Sequence, residues 1–451
     1  MARQKILSGR YASPMLAVDS VTAAGESDIE FRRGRRTLRL SVQGERAAAL
    51  ADLERLRQPW PGTRWLQSLS PLLDDLDKQG WIVERVDTPA HQEAPAAAVA
   101  ARLSDALDRL GLDGRRELLA RIRDAGNGRV SMQAAVVRAL LEQLRRESPG
   151  AVRMLTNALQ GKAAPRIGRR DQAWPADAAD VETALATIVF WALHGLDRAA
   201  PPPQAPRMSS RLRLTGDIAI RETEAALRDW EAALGAPGMI SHPWQPTAAR
   251  RVSQGIHLQQ YYVSLKYVES VLPVVQASSS PPLRRLAWRY LQEELGHEHY
   301  EMDACLSLGL SRADVLRNVP LPAFAAFPRV MTSTAAASRY AWVLALPLAE
   351  GLPYERKPLP SFMASQGLAD ARLAAHVDED QSLDHGWMAR RFAACLGPSS
   401  GADWNAAMDR VAVMYALTRA GWDQLGEHFG QARGAVVVDS PWTWMETRLG
   451  L

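Results

Sequence analysis

The chain has few cysteines, no long apolar run and little net charge, and each of these shortages excludes a class of protein. Two cysteines among 451 residues cannot build a disulfide framework, and they suit a reducing compartment. No stretch is long enough to cross a membrane as an apolar helix, and the N-terminal residues lack the apolar core of a signal peptide. A formal charge of +4 is too small to predict a nucleic-acid-binding surface. We therefore expect a cytoplasmic protein with neither a membrane nor a nucleic-acid partner.

Histidine is also scarce, but its distribution is uneven. The chain has nine histidines, and seven of them lie in the C-terminal half. Histidine is the commonest metal ligand and titrates near neutral pH, so this bias predicts that the chemistry of the chain is located there. The seven are His242, His257, His297, His299, His376, His385 and His428.

The first 90 residues differ from the rest because they mix strands with helices. Residues 37–42 alternate apolar and polar side chains as a strand does, helical segments follow, and residues 81–84 read as a closing strand. This order predicts a small α+β, winged-helix-like region over residues 1–90. Three aspartates between residues 74 and 77 would repel phosphates, so we expect a peptide or protein partner here, with a purely structural cap as the alternative.

Helical periodicity dominates the remainder of the chain. Residues 91–200 are rich in alanine, leucine and arginine with helical spacing, and their charged positions fit solvated faces. Residues 201–206 are rich in proline and predict a semi-rigid linker at the main domain boundary. Residues 207–451 contain six to eight predicted helices with short connections, which is typical of a helical bundle. The expected fold class is therefore mainly α.

The densest cluster of polar side chains on a predicted helix lies at residues 290–309. Glu294 and His297 are three residues apart, so a continuous helix over residues 283–308 would place both on one face. Helical bundles use Glu-x-x-His at this spacing to present a carboxylate and an imidazole to iron or manganese. A solvated helix face is the alternative interpretation.

Two later segments supply further candidate ligands. Glu350 closes an apolar helical segment, while His376 and Asp380 are four apart on a helix predicted over residues 368–396. A set of carboxylates and imidazoles suits iron or manganese better than zinc. Taken singly, Glu350 would be a helix-end carboxylate and His376 a half-buried histidine. We expect His299 and His385 at the surface.

This order of motifs resembles the heme-oxygenase-like non-heme diiron oxidases and oxygenases, the relatives of TenA and PqqC. The resemblance covers roughly residues 245–400 and implies a heme-oxygenase-like bundle within residues 207–451 and a homodimer. It implies two Fe²⁺ ions, O₂ as cosubstrate, and oxidation of a small-molecule, amino-acid-like or peptide-borne substrate. The residues that match the ligand positions of the family are Glu294, His297, Glu350, His376 and Asp380.

The sequence departs from the family at Leu383, where the third helix normally carries a histidine. An iron site would lose one nitrogen ligand unless another side chain replaced it. The candidates are Asp384 or His385 through a change of register, Glu301 at the position where some relatives have a histidine, and Glu269 on the preceding helix.

This departure leaves two alternative functions open. The first is a metal-free scaffold with the same bundle, which would bind a partner in a biosynthetic pathway. The second is a TenA-like hydrolase that uses Cys305 or Cys395 as a nucleophile. We expect both cysteines in the core, with no neighbouring base to activate them.

Overall fold

The computed structural model falls into two compact units, Met1–Gln92 and Glu93–Leu451, which are described separately. The residues that it describes are 14–16, 20–24, 28–33, 36–41, 76, 82–84, 94–126, 131–161, 178–194, 204, 206–277, 280–353, 355, 358–368, 370–431 and 435–444.

The described residues of the first unit form two small antiparallel sheets. Strand β1 pairs with β5, while β2, β3 and β4 form a meander in which Phe31 lies opposite Leu38. Ile29 and Phe31 are fully buried, as expected for alternate positions on one face of β3. The strands are β1 Pro14–Leu16, β2 Ser20–Ala24, β3 Asp28–Arg33, β4 Arg36–Ser41 and β5 Ile82–Glu84.

The predicted strands at 37–42 and 81–84 correspond to β4 and β5. The hairpin of β2 and β3 was not predicted. The predicted helices between β4 and β5 lie outside the described residues apart from Leu76, which is helical and buried. The winged-helix-like order therefore stays a prediction.

The second unit is almost entirely helical. Two short strands, β6 Arg213–Leu214 and β7 Ser399–Ser400, pair in it. Its N-terminal helices are α1 Ala94–Arg109, α2 Gly111–Gly126, α3 Met132–Glu147, α4 Pro149–Leu159 and α5 Ala178–His194. The later helices are α6 Gly216–Leu234, α7 Gly238–Ser241, α8 Pro246–Tyr267, α9 Leu272–Ala277, α10 Pro281–Glu294, α11 His297–Ser307, α12 Arg312–Arg317, α13 Pro322–Ala337, α14 Arg339–Ala345, α15 Pro347–Glu350, α16 Pro358–Ser365, α17 Ala375–Ser382, α18 Met388–Ala394 and α19 Gly401–Phe429.

Helix α13 lies in the interior of this unit. It is buried along nearly its whole length and packs against α3, α5, α8 and α19. A helix that is buried on every side has to be surrounded by other elements. One hydrophobic core accordingly contains Leu140 and Trp191 together with Met331 and Leu417.

The helices of residues 94–194 therefore share a core with those that follow residue 206. The sequence analysis separates these two regions at the proline-rich residues 201–206, of which only Gln204 and Pro206 lie among the described residues. The physical reason for the shared core is that α3 and α5 supply the apolar surface that covers α13.

The prediction of long continuous helices around the candidate ligands was wrong. The helix predicted over 283–308 is two helices, because the chain turns at Gly296 with a left-handed φ of 103°. The helix predicted over 368–396 is divided into α17, a 3₁₀ turn at His385–Trp387, and α18. Asp384 makes this second break with a φ of 58°.

The described residues establish a mainly helical protein with small antiparallel sheets. In this part of the chain, no helix combines the length and the apolarity that crossing a bilayer requires.

Candidate metal centre

Two groups of three potential ligands lie side by side in the second unit. The first triad is His297, His376 and Asp380, and the second triad is Glu294, Glu350 and His385. Within each triad, the candidate ligand atoms all lie within 4.8 Å of one another. All five residues predicted from the sequence are therefore brought together, and His385 joins them.

Glu294 connects the two triads. Its Oε2 atom lies 3.4 Å from Nδ1 of His297 in the first triad, and its Oε1 atom lies 3.2 Å from Nδ1 of His385 in the second. Asp380 is also close to both, because its Oδ1 atom lies 3.6 Å from Nε2 of His376 and 3.3 Å from Nδ1 of His385. The two triads therefore form one six-residue centre.

The breaks in the helices help to produce this convergence. Glu294 is the last residue of α10 and His297 the first of α11, with Gly296 between them. A Cβ at position 296 would make only an ordinary van der Waals contact with His299, at 3.8 Å, so the left-handed backbone is the reason for glycine here. Glu350 likewise ends α15 immediately before Gly351, whose φ is 85°.

His385 is the main correction to the sequence analysis, which placed it at the surface. Its side chain is fully buried, and its Nδ1 atom lies 3.0 Å from Oε2 of Glu350. The left-handed turn at Asp384 interrupts the helix and directs the next residue inward. The turn brings Nδ1 of His385 next to Glu294, Glu350 and Asp380, two residues after Leu383.

Glu301 is fully inside the protein but belongs to neither triad. Its Oε1 lies 2.6 Å from Nδ1 of His376, and its Oε2 lies 2.6 Å from Nδ1 of His257. A carboxylate at Nδ1 leaves Nε2 of His376 for the first triad, which is how such carboxylates orient metal-binding histidines. Glu301 was considered as a ligand, and the structure instead places it behind His376.

The pKa of Glu301 reflects this position. Burial alone would raise it, but the charge of His257 and the hydrogen bonds with His257 and His376 outweigh burial and hold the pKa at about 2. Glu301 is therefore a carboxylate that keeps its charge in the interior because two imidazoles face it.

Two tyrosines that the sequence analysis did not single out extend the centre on its other side. The hydroxyl of Tyr290 donates a hydrogen bond to Oε1 of Glu350 and lies 3.0 Å from the hydroxyl of Tyr267. Burial, followed by the nearby carboxylates, raises the pKa of both hydroxyls well above the ordinary value. Both phenols therefore stay protonated.

The electrostatics of the centre favour a cation between the triads. Burial and the charge of Glu350 raise the pKa of Glu294. Burial lowers the pKa of His385, but hydrogen bonds with Asp380 and Glu350 outweigh it and raise the pKa to about 10. Nδ1 of His385 lies 3.0–3.3 Å from oxygens of three buried carboxylates, Glu350, Glu294 and Asp380. Buried carboxylates this close together repel one another unless a positive charge lies between them.

Other residues weighed from the sequence lie elsewhere. Glu269 belongs to neither triad and pairs with Lys266 at 3.0 Å. The side chain of His299 is 36% exposed.

Cys305 is fully buried and Cys395 half-buried against the core, as expected, and burial raises the pKa of both thiols. Neither cysteine therefore resembles an activated nucleophile.

Comparison with family models finds no match to this chain, and comparison with curated proteins and with solved structures finds none either. The chemistry of the centre is therefore inferred from its own residues.

Proposed function

We propose that the protein is a non-heme iron-dependent oxidase or oxygenase that holds two ferrous ions, one at each triad. The observation that carries this proposal is the position of Glu294, whose two oxygens face a histidine of each triad. Glu294 would help to hold both ions, and a donor set of three carboxylates and three imidazoles would suit iron.

The residues fit such a pair of ions. His297, His376 and Asp380 would hold one, and Glu350 and His385 would hold the other, with Glu294 shared. When bound, two ferrous ions supply electrons that reduce O₂ to an oxidant of a substrate. Nδ1 of His297, Nδ1 of His385 and the two oxygens of Glu294 are among the atoms that would become ligands.

The surrounding residues prepare the centre for this role. Glu301 fixes the ring orientation of His376, and Tyr290 occupies the second oxygen of Glu350. Burial of the ligands excludes water from the reaction. The side chain of His376, 21% exposed, is the most accessible of the six, so we place the entry of substrate and O₂ on its side.

The remaining parts of the proposal follow the resemblance described above. The second unit would be a heme-oxygenase-like bundle that acts as a cytoplasmic homodimer. Its substrate would be a small molecule, amino-acid-like or carried on a peptide. Residues 1–90 would recognise a peptide or protein partner.

Anaerobic reconstitution with ferrous iron tests the proposal. We expect about two irons per chain by elemental analysis and uptake of O₂ when air is admitted. Glu294→Ala should lose most of this iron, whereas Glu298→Ala, at a half-buried residue of the first turn of α11, should retain it. Less than one iron per chain in the wild type, or unchanged iron in Glu294→Ala, would overturn the proposal.

A further inference from the structure

The hydroxyl of Tyr290 is in direct contact with the candidate centre. It donates to Oε1 of Glu350, while Oε2 of the same carboxylate lies 3.0 Å from Nδ1 of His385. The phenolic oxygen therefore contacts the second triad directly, at the carboxyl group of Glu350. A phenylalanine would fill the same space without the hydroxyl, so the hydroxyl is the feature that needs an explanation.

Oxidisable side chains continue beyond Tyr290. The hydroxyl of Tyr267 lies 3.0 Å away, and the ring of Trp342 lies 6.3 Å from that of Tyr290, centroid to centroid. Phe392 packs edge-on against both Tyr290 and Trp342, at 5.6 Å and 5.1 Å. The centre thus has a small aromatic cluster on the side of Glu350.

This cluster is closed to solvent. Tyr290 and Trp342 have no exposed surface, and Tyr267 is 4% exposed. An oxidised side chain here would be shielded from water and from reductants in solution, which is the condition for it to persist. Burial and the hydrogen bond to Glu350 therefore both favour oxidation of Tyr290.

We propose that Tyr290 is a redox-active residue, which gives one electron and its phenolic proton to the centre when the iron-loaded protein reduces O₂ without substrate. This inference rests on the function proposed above. The O–H bond of Tyr290 breaks, the proton passes to Oε1 of Glu350, and a neutral phenoxyl radical remains on the ring.

The electrons and protons balance for each O₂ reduced to two waters. Four electrons are required: two from the bound ferrous ions, one from a ferrous ion in solution, and one from Tyr290. Four protons are required: one from the phenol of Tyr290, which Glu350 passes on and does not keep, and three from solvent. No oxidant besides O₂ and no reductant besides ferrous iron enters the reaction.

Rapid freezing of the full-length, iron-loaded protein after mixing with O₂ and excess ferrous iron tests this inference. We expect an organic-radical signal in the electron paramagnetic resonance spectrum. Growth of the protein with ring-deuterated tyrosine should collapse the hyperfine splitting of this signal, which separates a tyrosine radical from one on Trp342. Bound iron is measured in the same samples.

Tyr290→Phe keeps the ring and removes the hydroxyl. It should abolish the signal while keeping the bound iron of the wild type. Tyr267→Phe should keep the radical and alter its hyperfine pattern or lifetime, because the neighbouring hydroxyl is lost. Tyr262→Phe, at a buried tyrosine of α8 outside the triads, is the control and should leave the signal unchanged.

The outcomes separate this inference from the proposed function. Full iron and O₂ uptake without a radical would overturn the inference alone and leave Tyr290 as a support for Glu350. A signal that persists in Tyr290→Phe would do the same. Absence of bound iron in the wild type would overturn both.

Discussion

The Nδ1 atom of His385 lies 3.0 Å from Oε2 of Glu350, and both residues stand where a helix is interrupted. Glu350 ends α15, and His385 begins the 3₁₀ turn that follows α17. The second triad is therefore assembled from the ends of short helices. Glu350 and His385 meet because of the turns at which their helices end, and not because of a spacing within one helix.

Replacement of His385 tests the second triad. We expect His385→Ala to bind about half the iron of the wild type, because the second triad would keep only Glu294 and Glu350, both carboxylates. Elemental analysis after anaerobic reconstitution measures the ratio of iron to protein. His299→Ala, at a partly exposed histidine, is the matched control and should bind the wild-type amount. Equal iron in His385→Ala and the wild type would assign the second ion to other residues.

The sequence predicts five of the six residues of the centre, although only His376 and Asp380 share one unbroken helix, because the chain turns at Gly296 between Glu294 and His297. Glu294, His297, His376 and Asp380 were found from separations of three or four residues, and Glu350 from its position at the end of an apolar segment. His385 was missed because an uninterrupted helix of about 3.6 residues per turn would point it away from His376. The left-handed turn at a non-glycine residue, Asp384, reverses that expectation.

The role of Glu301 could not be predicted for a different reason. Its partners, His257 and His376, lie far from it along the chain, on α8 and α17. Spacing within one helix says nothing about contacts of this kind, which depend on how α8, α11 and α17 pack. The shared core of α3, α5 and α13 escaped prediction for the same reason, since the proline-rich residues 201–206 suggested a boundary that packing overrides.

Glu301 should control the affinity of the first triad. In Glu301→Gln the amide keeps the size of the side chain but loses the negative charge that faces His257 and His376. Loss of such a carboxylate behind a ligating histidine lowers metal affinity by about 10- to 100-fold. Titration of ferrous iron against a competing chelator measures this change. Glu298→Gln, on the same helix, should bind iron as the wild type does, and equal affinity in both variants would remove Glu301 from the centre.

The buried imidazole of His428 predicts a loss of stability in mild acid. Burial, followed by the charge of Arg251, lowers the pKa of His428 in the folded protein. Between that pKa and the unfolded value of about 6.5, the unfolded chain binds more protons, so stability falls as the pH falls through this window.

Urea unfolding of the metal-free protein at about pH 7.5 and about pH 5.5 measures this loss around the unfolded pKa. The wild type should lose more of its unfolding free energy between the two conditions than His428→Gln, which has no titrating ring. Both proteins are used without metal, so that proton binding at the two triads affects the wild type and His428→Gln equally. Equal losses in the two proteins would contradict the prediction.

The ion pair of Glu224 and Arg390 should stabilise the segment that carries His385. Two hydrogen bonds of 2.8 Å and 2.6 Å join the guanidinium to the carboxylate, and Glu224 is buried on α6. The same guanidinium lies 5.0 Å from the ring of Trp387, two residues after His385. The pair therefore connects α6 to the start of α18 at the edge of the centre.

Replacing one member of the pair should destabilise the protein more than expected from the effect of replacing both. Glu224→Leu or Arg390→Met alone removes one charge of the pair and leaves the other in place, which costs about 3–5 kcal/mol at buried pairs. The double variant removes both charges and should be less destabilised than the sum of the single changes. Urea unfolding measures all four proteins, and bound iron is measured beside it. Losses of unfolding free energy that simply add would mean that the two residues are not coupled. Non-additive losses, together with reduced iron in the single variants, would connect the pair to the position of His385.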